Sequence, residues 1–147
     1  KIIEYDINNS SANNFLMTHT TNPLISQLTL SNCIETYLSN IGIFDSVFSV
    51  NKIQSRFYDE ESQPINHDPK SLIRTQDLHP IYEENSCIYI FSRNSFNKTK
   101  ARIGSKPKFY LTPKLESIDI DDKDDWFFAE SIQESILKNK NEFNLSF

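Results

Sequence analysis

Glycine is nearly absent from this chain: Gly42 and Gly104 are the only two among 147 residues. A P-loop or a dinucleotide-binding turn needs several close glycines so that backbone amides can approach phosphates. Neither device is encoded here. Cysteine is equally sparse, and Cys33 and Cys87 lie too far apart to form a metal-ligand spacing. Both read as free thiols on apolar segments in a reducing compartment. No apolar run approaches the roughly 18 residues of a transmembrane helix, so neither membrane association nor a signal peptide is expected. A basic excess is also missing: 15 Lys and Arg stand against 20 Asp and Glu, giving a formal charge of -5. Nucleic acid is therefore not an expected partner.

Aromatic residues are plentiful. Eleven Phe and six Tyr, within a hydrophobic fraction of 37%, exceed what a disordered tail carries. The length suits one domain with a sizeable core.

The chain is organised around Ser117-Ile118-Asp119-Ile120-Asp121-Asp122-Lys123-Asp124-Asp125. A strand over 115–121 would place Asp119 and Asp121 on one face and Ile118 and Ile120 on the other. Two carboxylates at a strand end suit a hard cation, because Mg2+ needs only one or two of them beside substrate phosphates. The plainer role of such acids is helix capping. Asp124 or Asp125 would then cap a helix beginning near Trp126, with Trp126, Phe127, Ile132, Ile136 and Leu137 on one side.

Other elements follow from periodicity. Residues 1–14 read as a short apolar start followed by a polar loop. Phe15 to His19 is a buried strand ended by Thr20-Thr21-Asn22-Pro23, since proline biases its predecessor away from helix. Thr29 or Ser31 would cap a helix bearing Cys33, Ile34, Tyr37, Leu38 and Ile41, stopped by Gly42. Asp45 to Val50 is a strand running on through Ile53 to Tyr58, and a return near Ile65 makes a hairpin. A lone hairpin is marginal and needs something to pack upon. Strands at 85–91 and 109–111 flank a short helix from Ser92 or Asn94 to Lys100. Strands alternating with helices predict an α/β fold with a largely parallel sheet.

Five of these stretches, in order, carry a resemblance: Thr20-Thr21-Asn22-Pro23-Leu24, Asp45-Ser46-Val47-Phe48-Ser49-Val50, Arg74-Thr75-Gln76-Asp77, Tyr82-Glu83-Glu84-Asn85-Ser86 with Ile88-Tyr89, and Ser117-Ile118-Asp119-Ile120-Asp121. Together they resemble the acylneuraminate cytidylyltransferases, the CMP-sialic acid synthetases. The resemblance covers about Phe15 to Ile132. It implies a three-layer, Rossmann-like nucleotidyltransferase domain with a protruding hairpin arm, and transfer of CMP from CTP to an acidic nine-carbon sugar with release of pyrophosphate. Mg2+ is the implied cofactor, held by Asp119 and Asp121. These two aspartates and Arg74 are the implied catalytic residues.

The implied substrate contacts are His19, Thr21, Asn22, Arg56, Arg74, Gln76, Asn85 and Tyr89. His19 stands where the family has a glutamine that touches the sugar, and Arg56 and Arg74 fall where it places cations near the sugar carboxylate. Residues 46–80 correspond to the dimerisation hairpin and sugar-site loop, implying a homodimer. The family's basic, glycine-containing phosphate loop has no counterpart here, so residues 1–147 are expected to be the C-terminal part of a single cytidylyltransferase domain. A cytoplasmic enzyme is expected, or a nuclear one in an animal. Two alternatives stand beside this one: activation of a legionaminic, pseudaminic or keto-deoxyoctonate acid, and a non-catalytic remnant that dimerises through its hairpin.

Overall fold

A computed structural model describes residues 2–71 and 73–139. Four strands form one mixed sheet: β1 (Asn14–Thr18), β2 (Ser46–Ile53), β3 (Ile81–Ser92) and β4 (Pro107–Leu111), in the order β1-β3-β2-β4. The α/β class is as the sequence predicts, but the largely parallel sheet is not. β3 runs antiparallel to both β1 and β2, and β2 with β4 is the one parallel pair among the described residues. The reason lies in the connections. A helix joins β1 to β2, which point the same way, but β2 returns to β3 through the excursion at 54–80, which makes a long hairpin. Hairpins join antiparallel strands, whereas parallel neighbours need a crossover.

Helices cover both faces. On one, α1 (Ile2–Asn8) and α3 (Arg93–Thr99) supply Ile7 and Phe96 to a core with Phe48, Val50, Tyr89 and Phe91. On the other, α2 (Gln27–Leu38) packs Cys33 and Tyr37 on Val47, Cys87, Ile88 and Ile90. Successive residues of β2 are buried on both sides, whereas β1 and β4 are only half-buried on alternate residues, as edge strands are. The region read as a polar loop contains α1. Ile3 and Ile7, four apart, face the sheet, and the Arg93 guanidinium collects the carbonyls of Ile7, in the last turn, and of Ser10 and Ala12 beyond it, each at 2.7 Å.

Two capping expectations are corrected. α2 starts a turn early, at Ser26, whose hydroxyl accepts from the Thr29 amide at 3.1 Å. It ends at Leu38, leaving Gly42 (φ 94°) in the following turn instead of at the helix stop. α4 (Lys123–Lys138) is capped by Asp122 in a reciprocal box with Asp125, not by Asp124 or Asp125 alone. Its seat also differs: Ala129 and Ile136 are buried, while Trp126 and Phe127 are more than 60% exposed.

The excursion between β2 and β3 does contain the expected hairpin in small form. Tyr58 bridges Pro64, the Ile65 amide donates to the Phe57 carbonyl at 2.9 Å, and Asp59 Oδ1 receives the amides of Glu61 and Gln63 across the turn. Its apolar residues Tyr58 and Ile65 are exposed.

Candidate functional site

Two stretches distant in sequence meet beyond the carboxyl end of β1. The Thr21 carbonyl accepts from the Ile120 amide at 2.9 Å, and Asn22 Nδ2 donates to the Ile118 carbonyl at 3.3 Å. Glu116, buried beside them, accepts from the Ser26 amide at 2.9 Å and so ties the start of α2 to the same segment. Asp119 is thus held between two anchored residues.

The expected strand over 115–121 is absent. Pro113, which has no amide hydrogen, ends the β4 ladder, Lys114–Glu116 winds into a 3-10 turn, and residues 117–120 are irregular. Their backbone groups bond to the Thr21–Asn22 loop instead of to a neighbouring strand. Face alternation therefore does not place the aspartates. Asp119 is half-buried and Asp121 exposed.

The environment of Asp119 is unusual. Its Oδ1 is buried with no hydrogen-bond partner, and so is the Oδ1 of Asn22 alongside. An unpartnered buried oxygen costs on the order of 1–3 kcal/mol, and a cation or a donor on a ligand would satisfy it. Nearby Cys87 on β3 has its thiol pushed up to about 12, by burial first and then by the Asp119 carboxylate. Asp121 accepts no hydrogen bond among the described residues, and its amide donates to Asp125 at 3.1 Å. Asp122 and Asp125 are both occupied in capping α4. Asp119 and Asp121 carry the oxygen donors that a hard cation takes when most of its shell is water or phosphate, the first half-buried and the second exposed. No group of three or more His, Cys, Asp or Glu residues converges among the described residues.

A second cluster surrounds His19. Its ring lies 6.2 Å from that of Tyr89, and its Nε2 is 3.1 Å from Nη1 of Arg102. The Arg102 guanidinium stands over the Tyr89 ring at 4.0 Å. Tyr89 is fully buried, and its hydroxyl donates to Glu84 and meets Ser86 Oγ at 3.1 Å. Burial, and next the Glu84 hydrogen bond, raise its pKa.

The remaining residues taken from the resemblance lie elsewhere. Asn85 sits in a bulge where the pairing jumps from Phe48–Tyr89 to Val50–Glu84. Its amide donates to Asn51 at 2.9 Å and to Thr112 at 2.6 Å, while its oxygen accepts from Ser49 at 2.6 Å. Arg56 donates to the Ile73 carbonyl at 2.5 Å, Arg74 pairs with Asp77 at 2.8 Å, and the Gln76 carbonyl accepts from Gln54. The partners of Arg56, Arg74 and Gln76 are local to the excursion.

Arg102 and Glu116 were not foreseen. Nothing in the spacing of Ala101-Arg102-Ile103-Gly104 marks a site, and a buried carboxylate is not read from sequence without knowing its partner. Two cavities lie nearby, though neither Arg102 nor Glu116 lines them. A cleft of about 570 Å³ lies between the β2–β3 ribbon and the end of β4, lined by Asn51, Gln54, Glu83, Leu111 and Lys114. A groove of about 480 Å³ borders the loop after β1, lined by Pro23, Leu24, Ile120, Trp126 and Ala129. In comparisons with known proteins, the chain matches no family model and no curated protein.

Proposed function

We propose that this chain carries the metal- and sugar-binding part of a nucleotidyltransferase domain that activates an acidic nine-carbon sugar, joining CMP from CTP to it with release of pyrophosphate. The observation that carries the reading is the junction of Thr21 and Asn22 with Ile118 and Ile120, which presents a buried, unpartnered Asp119 oxygen at the sheet's end. Open α/β sheets bind ligands in crevices beyond the carboxyl ends of strands. Two motifs of the resemblance, nearly a hundred positions apart (|i−j| of 96 for Asn22 and Ile118), are brought together there.

In this reading Asp119 and Asp121 hold Mg2+, which when bound neutralises the phosphate charge. Asn22 fixes the height of Asp119 through the Ile118 carbonyl. The Thr21–Ile120 bond keeps the loop and the acidic segment from separating, so the site is preorganised. The hairpin excursion, with its exposed Tyr58 and Ile65, is the surface through which a second copy pairs. The sugar is N-acetylneuraminate or a related legionaminic, pseudaminic or keto-deoxyoctonate acid, and His19 is the residue at which that choice is read.

The test is calorimetric titration of the chain with Mg2+, CTP and N-acetylneuraminate or keto-deoxyoctonate, followed by a pyrophosphate-release assay on the mixture. Saturable binding of Mg2+ and of one sugar acid, lost in Asp119→Asn, is the expected result. Absence of both bindings rejects the reading, and leaves the hairpin-mediated pairing of a non-catalytic chain as the function to pursue.

A further inference from the structure

Arg102 lies between α3 and β4, just past Lys100, whose left-handed φ of 55° turns the chain out of the helix. Its guanidinium carbon lies over the buried Tyr89 ring, 4.0 Å from the centroid, and its Nη1 touches His19. A guanidinium only donates, so His19 Nε2 is the acceptor and the imidazole proton sits on Nδ1. None of the three ion pairs among the described residues includes Arg102. Its bond to His19 is its one side-chain hydrogen bond there. A half-buried fork is thus stacked, aimed by a neutral ring and left with most of its donors open.

The other arginines considered for the substrate are differently placed. Arg74 is paired with Asp77, and Arg56 is bonded to a loop carbonyl. The planar guanidinium matches a carboxylate bidentately, and stacking on an aromatic ring pre-orients it. We propose that Arg102 anchors the carboxylate of the acidic sugar and that His19 is its positioning residue. This rests on the reading of the chain as a sugar-activating nucleotidyltransferase. It also accounts for the histidine where a glutamine is expected. A neutral imidazole, like a side-chain amide oxygen, accepts from Arg102 and holds the fork edge-on to the ligand.

The experiment compares binding of N-acetylneuraminate and keto-deoxyoctonate with binding of their methyl esters, which lack the negative charge. The unmodified chain is expected to prefer the free acid roughly ten- to hundredfold, the range for a charge-assisted hydrogen-bonded pair. Arg102→Gln should erase that preference while leaving ester affinity, Mg2+ binding and the melting midpoint in place. Arg102→Lys, which keeps the charge but not the fork, should retain only part of it. His19→Leu should weaken acid binding several-fold, and His19→Gln should restore it. An Arg102→Gln chain that still prefers the acid overturns the assignment and leaves the sugar-activating reading standing. An unmodified chain that binds neither the acids nor Mg2+ overturns both.

Discussion

Gly104 and Asp45 are packed so closely that a Cβ on the glycine would overlap the aspartate carboxylate, and the Ser95 hydroxyl as well. The contact has a purpose. Asp45 Oδ2 accepts from the Ser105 amide at 2.9 Å and Oδ1 from the Lys106 amide at 3.0 Å, fastening the start of β4 to the start of β2. The Gly104 amide itself donates to Ser46 Oγ at 2.8 Å. Gly104→Ala should therefore destabilise the fold by about 1–3 kcal/mol through overpacking, measured as a lower urea midpoint. An unchanged midpoint would mean that Asp45 swings aside at no cost.

The Asn85 network should behave as a structural unit. Asn85→Ala leaves Ser49, Asn51 and Thr112 without a shared partner inside the sheet. A loss of roughly 1–3 kcal/mol is expected for each buried polar group left unpaired. Hydrogen exchange at Ile88, whose amide donates to Ser49 Oγ at 2.8 Å, should accelerate in step. A stable variant impaired only in sugar binding would move Asn85 from the sheet to the site.

The acidic run divides into two sets with opposite signatures. Asp122→Ala removes the cap of α4 and should cost about 1 kcal/mol of stability. Asp121→Asn leaves the cap intact, so it should leave melting unchanged while abolishing Mg2+ binding. Equal melting shifts in the two variants would contradict this division.

Alkali should weaken the fold through its buried thiols and tyrosines. Burial raises Cys33 and Cys87 from 9.0 to about 12, and Tyr37, Tyr89 and Tyr110 are raised too, chiefly by burial. Between these limits the unfolded chain has lost protons that the folded chain keeps, so it binds fewer, and stability falls as pH rises. The contribution is complete below about pH 9 and disappears toward pH 12. Urea midpoints at pH 8, 9.5 and 11 should decline in that order, and a flat series would place both thiols in contact with water.

Much of this arrangement is legible in the sequence where burial has a period. Ser46 to Val50 and Cys87 to Phe91 read as strands because their apolar residues meet two helical layers, and Phe15 to Thr18 because alternate residues, Phe15 and Met17, pack on one. Ser92 and the positions of Cys33 and Tyr37 likewise announce their helices. What could not be read depends on partners far along the chain. α1 needs the Arg93 guanidinium beyond its carbonyl end. The segment at 117–120 copies the alternation of a strand but finds the Thr21–Asn22 loop, not a ladder, opposite it. The antiparallel placement of β3 is decided by the return of a long excursion, to which local periodicity is blind. Arg102 acquires meaning only when α3 turns it over Tyr89.

That excursion leaves the sheet after Ile53 and re-enters at Ile81, and these two residues are partners in the ladder. Both ends of the loop are thus clamped by one cross-strand pair, and lengthening it alters only closure entropy, by about 0.6 kcal/mol for each doubling. The sheet's registry is insulated from whatever happens in the arm. An affinity tag or fluorophore inserted at the Asp59–Gln63 turn is therefore expected to leave Asp119 and Arg102 where they are.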